Sequence, residues 1–259
     1  MTSRPASALA TAMVQPATIE VAVMAFNDLH GNLEPPRMAI PASTPGATAV
    51  SVPAGGAAYL ASAIASLKKA NPHHAVVSAG DMIGASPLIS ALFLDEPTIE
   101  AVNAMQIDFN AMGNHEFDKG QAELVRMKQG GCERNTLLEP CRVNKAFPGA
   151  NFGFLAANTL RGDGSTLFPA TGLKRFTQGS ATVRVGFIGL TLRNTPSLVT
   201  PSGVAGLRFA DEADTINAQI EPLKAAGANA IVVLIHEGGA TTGGYDDKRC
   251  PGLRGDILP

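Results

Sequence analysis

Asp28 and His30 stand two residues apart in the segment NDLHGN, and both side chains can bind a divalent metal. A second carboxylate, Asp81, closes SAGD; Asn114 and His115 stand together in GNHE; His236 opens HEGG. Such a mixture of oxygen and imidazole donors suits Zn, Mn or Fe. Taken singly, each group has an ordinary reading. Asp28 or Asp81 can cap a helix or close an Asx turn. His30 and His236 can be hydrogen-bonded histidines, and Asn114 can take a left-handed turn position. Their joint occurrence is what points to a site, because convergent titratable donors are uncommon without one.

Each group follows a short apolar run: Ile19 to Phe26, His74 to Ser78, Asp108 to Met112 and Asn229 to Ile235. These read as strands, the last (NAIVVLI) as one covered on both faces. Asn151 to Ala157 and Thr182 to Leu190 read as strands too. Helical spacing is expected over Gly55 to Ala70, Ser86 to Phe93, Pro97 to Met105, Asp118 to Gln129, and Asp211 to Ala226 with an irregularity at Pro222. Pro35 to Pro53 reads as a loop insertion rich in Pro, Ala, Ser, Thr and Gly. Strand, crossover helix, strand is the recurring unit, which predicts an α/β layered fold with much parallel sheet. In such folds the carboxyl ends of the strands form one rim, where ligands bind.

Composition narrows the rest. A chain of 259 residues, 45% hydrophobic and 16% charged, builds one large globular domain or two small ones. A net charge of -2 gives no support to a nucleic-acid polymer or an anionic membrane as partner. No apolar run reaches the length of a membrane span. The first residues, 1–18, read as a leader or disordered segment, poor as a signal peptide, ahead of a domain over 19–259. Cys132 and Cys141 bracket the polar loop GCERNTLLEPC, as a local disulfide in an exported chain, periplasmic or secreted, or as two unpaired thiols. Cys250 is left over.

The order D-x-H, GD, GNHE, H resembles the calcineurin-like metallophosphoesterase superfamily. The longer strings NDLHGN, SAGDMIGASP, MGNHEFDKG and VGFIGLT resemble its 5'-nucleotidase branch, which includes UDP-sugar hydrolases and 2',3'-cyclic phosphodiesterases. The resemblance implies an αββα sandwich, central β-sheets flanked by helices, and two divalent ions (Mn, Zn, Fe or Co). Asp28 and His30 would bind one ion, Asp81 would bridge both, and Asn114 and His236 would bind the second. A shared anionic ligand offsets the repulsion of two close cations, and the ions activate a water for attack on phosphorus. His115 would stabilise the transition state or protonate the leaving group, with Asp118 orienting it; alone, Asp118 reads as a helix cap. The implied substrate is a small phosphoester, a nucleotide above all, with a thiosulfate ester as the neighbouring alternative.

The family pattern also carries a GHxH motif downstream of the His236 position, and a C-terminal domain that holds the base. Neither is present in this sequence. The expectation is therefore a truncated chain, a fold incomplete at the C-terminus, and weaker metal binding. A competing reading is a fragment that binds metal or phosphate without turnover. A dinucleotide-binding domain fits poorly, since no G-x-G-x-x-G follows the first strand. Among the remaining polar residues, His73 and His74 read as solvated, Glu116 and Glu237 as supporting or surface groups, Asn158 as weakly linked to the site, and Asp246 and Asp247 as solvated loop residues.

Overall fold

Alternation in the first strand sets the layering. In the computed structural model, which describes residues 18–42, 48, 50–244, 247 and 249–258, β1 spans Ala22–Phe26. Met24 and Phe26 turn toward the helices, while Val23 and Ala25 face away from them and lie exposed. The leader expectation falls outside the described residues except for Thr18, as does Asp246.

The segment expected as a plain loop carries a hairpin: β2 (Met38–Ala42) pairs antiparallel with β3 (Val50–Ala54). Ile40, Val50 and Val52 alternate with small residues and prolines there, a pattern an isolated two-stranded ribbon tolerates because its edges need no further donors. Helix α1 (Ala57–Ala70) starts after Gly55 and Gly56 and ends on Lys68 and Lys69. Strand β4 is His74–Ser78. The next helix is shorter than expected: α2 spans only Leu88–Ala91, because Leu94 and Asp95 turn the chain through left-handed conformations into α3 (Glu96–Met105). Then follow β5 (Phe109–Ala111), a 3-10 turn at His115–Phe117, α4 (Gln121–Gln129) and β6 (Gly153–Leu155).

The second half adds β7 (Thr159–Leu160), β8 (Thr171–Gln178), β9 (Ala181–Leu190), β10 (Arg208–Phe209), α5 (Glu212–Ala225) and β11 (Ala230–Ile235). Asp211 caps α5 by accepting from the Asp214 N–H, and Pro222 lies inside it. Strand β8 was not legible as a strand. Its residues TGLKRFTQ put Lys174 and Arg175 side by side, and only Phe176 is buried.

Two sheets stack. One is wholly parallel in the order β1-β4-β5-β6; the other runs β11-β9-β8, with β11 parallel and β8 antiparallel to β9. Between them lies a core of Ala75, Val77, Ala111 and Leu155 against Phe176, Val185, Phe187 and Leu234. On the outer side of the first sheet, Ile64 of α1, Ile99 and Val102 of α3 and Leu124 and Met127 of α4 join one larger core. Leu223 of α5 covers Ile188 and Leu190 on the far side of the second. Helices, sheet, sheet, helix is the expected αββα order. Both faces of β11 are packed, Leu234 inward and Ile231 and Ile235 toward α5, also as expected. Cys132 and Cys141 form a disulfide with 5.6 Å between Cα atoms, and Cys250 is free and exposed. Among the described residues no helix is long and apolar enough to cross a membrane.

Candidate metal centre

Parallel strands β1, β4 and β5 end at the same rim, so the three loops that follow them lie side by side. The first two are laced together through the backbone. Asp28 N–H donates to Gly80 O at 3.0 Å, His30 N–H to Asp81 O at 2.9 Å, and Gly31 N–H to Met82 O at 3.0 Å. That lacing holds Asp28, His30 and Asp81 at φ values of 53°, 44° and 53°, where an L side chain costs roughly 1–2 kcal/mol per residue. Three such positions in one cluster mark a site where side-chain direction outweighs local comfort. Glycine is required beside them. A Cβ on Gly113 would stand 2.1 Å from Asp81 Oδ1, and one on Gly80 would stand 2.5 Å from Gly113 N.

Asp81 is the hub. Its Oδ2 lies 3.6 Å from His30 Nε2 and 3.1 Å from His236 Nε2, and its Oδ1 accepts the His115 N–H at 2.9 Å. Asp28 Oδ1 is 3.5 Å from His30 Nε2. Donor atoms of Asp28, His30 and Asp81 all fall within 4.8 Å of one another. Both histidines are aimed by carbonyls. His30 Nδ1 meets Gly84 O at 2.9 Å, and His236 Nδ1 meets Ala79 O at 2.9 Å. A carbonyl only accepts, so each ring carries a proton on Nδ1 and turns Nε2 toward the centre, the nitrogen that a metal takes once it is bare. The donor set fits divalent cations of the Zn, Mn or Fe kind.

Asn114 sits at the start of the 3-10 turn, half-buried, between Gly113 and His115, both of which touch Asp81. His115 Nδ1 is 2.9 Å from Asp118 Oδ2, which also accepts the Ala85 N–H at 3.0 Å. The His115 ring stands edge-on to His30, centroids 5.1 Å apart. An open recess of about 360 Å³ beside Asn27, Asp28, His236 and Glu237 leads from this rim to solvent.

The electrostatics follow from burial and crowding. Burial alone would raise the Asp81 carboxyl; the hydrogen bond and charge of His236, with the His115 N–H, outweigh it and hold Asp81 below its usual range. Burial would likewise lower His236, but Asp81 and the Ala79 carbonyl push it up to about 9. Glu116 is raised to about 7 by burial and by the Asp81 charge, against the pull of the N–H groups it accepts.

Glu116 is the residue the sequence reading undervalued. It is buried, and its carboxylate accepts the N–H groups of Asp81 at 2.8 Å, Met82 at 2.9 Å and Gly113 at 2.8 Å. One side chain thus ties the second and third loops together. A glutamine there would turn its amide toward one of these donors. We expect Glu116→Gln to cost about 1–3 kcal/mol of stability, the usual penalty for an orphaned buried donor. Denaturant unfolding measures it, and an unchanged midpoint would show that the loops are held otherwise.

No protein-family model matches the chain. A protein of Acinetobacter calcoaceticus, an uncharacterized protein in the pqq-V 5' region, is 56% identical over 60% of this chain and 78% of its own length. Cell wall protein Lmo0130 of Listeria monocytogenes is 35% identical over 90% of this chain and 29% of its own. Bovine 5'-nucleotidase is 28% identical over 85% of this chain and 34% of its own. A putative 5'-nucleotidase of Staphylococcus aureus superposes with a TM-score of 0.61 at 25% identity, over 85% of this chain and 38% of that one. The chain belongs to the 5'-nucleotidase branch of the calcineurin-like metallophosphoesterases. It spans about a third of the length of the bovine and staphylococcal members. The NAD nucleotidase of Haemophilus influenzae shares the fold, with a TM-score of 0.63.

Within this 5'-nucleotidase-type domain, the structure brings together Asp28, His30, Asp81, Asn114, His115, Asp118 and His236 at one rim. Asn158 is not among them. It is buried, and its amide bridges Thr191 N and O and Ala210 O, a clamp on the second sheet. His74 lies at the opposite end of β4, half-buried, with Nδ1 donating to Asn71 O at 2.7 Å. Asp247 pairs with Arg249.

Proposed function

We propose that this chain is a metal-dependent phosphoester hydrolase of the 5'-nucleotidase type, acting on nucleotides or related small phosphoesters. The observation that carries the reading is Asp81, whose single Oδ2 faces His30 Nε2 and His236 Nε2 together. Asp28 and His30 would hold one ion, Asn114 and His236 another, with Asp81 shared. Divalent ions bound there supply Lewis acidity and a water of lowered pKa. The chain's own groups do the rest. Asp118 takes the Nδ1 side of His115 and fixes its orientation, so Nε2 is the nitrogen left to meet substrate. Delivering a proton from Nε2 to the leaving oxygen spares the departing group an alkoxide charge. The disulfide and the similarity to a protein named for the cell wall support an exported location.

Metal analysis coupled to hydrolysis of p-nitrophenyl phosphate and of nucleoside monophosphates tests the proposal. Two bound divalent ions with turnover are expected. Bound metal without turnover on any phosphoester would reduce the site to a binding module. Hydrolysis of a thiosulfate ester in place of phosphoesters would move the assignment to that neighbouring chemistry.

A further inference from the structure

Lys119 follows Asp118 directly, and its ammonium reaches Asp95 at 2.5 Å. Asp95 is fully buried and accepts a hydrogen bond from Ser90 Oγ at 2.7 Å. Leu94 and Asp95 have φ values of 57° and 64°, a conformation that side chains other than glycine seldom adopt. The backbone has therefore been bent to put a carboxylate in this place. Burial would raise that carboxyl, yet the Lys119 charge and hydrogen bond hold it below its ordinary value.

A buried ion pair is weak evidence for stability, since apolar groups of the same volume often serve as well. Its location suggests another use. A space of about 10 Å³, room for one water, is lined by Gly84, Asp95, His115 and Lys119. The pair thus lines the same void as His115. Gly84 is itself the acceptor for His30, and Ala85 N–H donates to Asp118. On the downstream side Gly120 has φ of 86°, and Gln121 Nε2 donates to Ala205 O at 2.9 Å.

We propose that the Lys119–Asp95 ion pair is a positioning device that holds Asp118 against His115. Lys119 and Asp95 touch no reacting atom. They anchor the segment from its far side, across the water-sized gap that His115 also lines. The inference rests on the reading of His115 as the acid only where turnover is measured.

The test uses the full chain in three forms: wild type, Lys119→Arg, and the double variant Lys119→Met with Asp95→Gly. The double variant removes both charges, so none is orphaned, and glycine suits the left-handed backbone. The tautomer of neutral His115 is read from its ring nitrogens in a proton–nitrogen correlation spectrum. We expect Nδ1–H in wild type and Lys119→Arg, and reversion to an Nε2–H mixture in the double variant. An Nδ1–H ring retained in the double variant overturns the proposal, with or without turnover. In kinetics, the double variant should lose about 10-fold in kcat on an alkyl phosphate, the scale of a small misplacement, with KM held. On p-nitrophenyl phosphate, whose leaving group needs no proton, the loss should be under about 2-fold. His115→Ala on the same two substrates separates the two ideas. If it shows no dependence on leaving group, the acid reading fails; if it does and the double variant does not, the positioning role fails.

Discussion

If the proposed function holds, His115→Ala is expected to lower turnover on nucleoside monophosphates by about 10²- to 10⁴-fold, the range of a lost general acid, and to leave the metal content unchanged. The geometry separates the two effects. His115 hydrogen-bonds to the metal-binding group through its backbone N–H, which donates to Asp81 Oδ1, and alanine keeps that N–H. What alanine removes is the ring, with the Nδ1 contact to Asp118 and the edge contact to His30. Inductively coupled plasma analysis of the purified variant, beside a turnover assay, checks both halves. Loss of metal in the variant would make His115 a ligand and overturn the division of roles.

If His236 is a ligand, metal affinity is expected to fall about 10-fold for each pH unit below about 9, so that binding at pH 7 is about 100-fold weaker than on the alkaline plateau. The cause is His236. In the metal-free protein Asp81 holds its imidazole protonated up to about 9. A metal needs Nε2 bare, so binding must expel that proton. The sign reverses for the metal-free fold. A histidine whose folded pKa is raised contributes stability fully present below its unfolded value, near 6.5. That stability is lost as pH rises through about 9. Warming the metal-free protein at pH 7 and at pH 9 should therefore give the lower melting temperature at pH 9, while metal-loaded protein gains from the same change. Calorimetric titration in buffers of different ionisation enthalpy should count close to one proton released at pH 7. Release of none would show that His236 is neutral before the metal arrives.

The rim was legible in the sequence because chemistry and periodicity coincided there. IEVAVMAF, HAVVS and NAIVVLI are apolar runs of strand length, and each is followed within three residues by a donor, Asp28, Asp81 or His236. Glu116 was harder. Following His115 in GNHE, it reads as a supporting or a surface group, and nothing local says that it accepts two N–H groups from the loop after β4 as well as one from its own loop. Asp95 and Lys119 lie 24 residues apart, and their pairing depends on a left-handed bend that residue types did not announce. Strand β8 was missed for a different reason. Arg175 lies on its solvated outer face, and Lys174, on the same face as Phe176, pairs with Asp108, so the two broke the apolar pattern, although Gly179–Ser180 between β8 and β9 was an available hairpin signal. The hairpin of β2 and β3 was obscured by prolines, which an edge ribbon admits and a central strand does not.

Strand β11 pairs with β9 on one side, and among the described residues no strand pairs with its other side. Its six residues, AIVVLI, carry no charge and no proline. Natural edges are usually blunted by lysine, proline or a bulge, because a row of free N–H and C=O groups is a template for another chain. The same apolar run that seats His236 at the rim is therefore also an open template, on which a further strand could add by backbone hydrogen bonding.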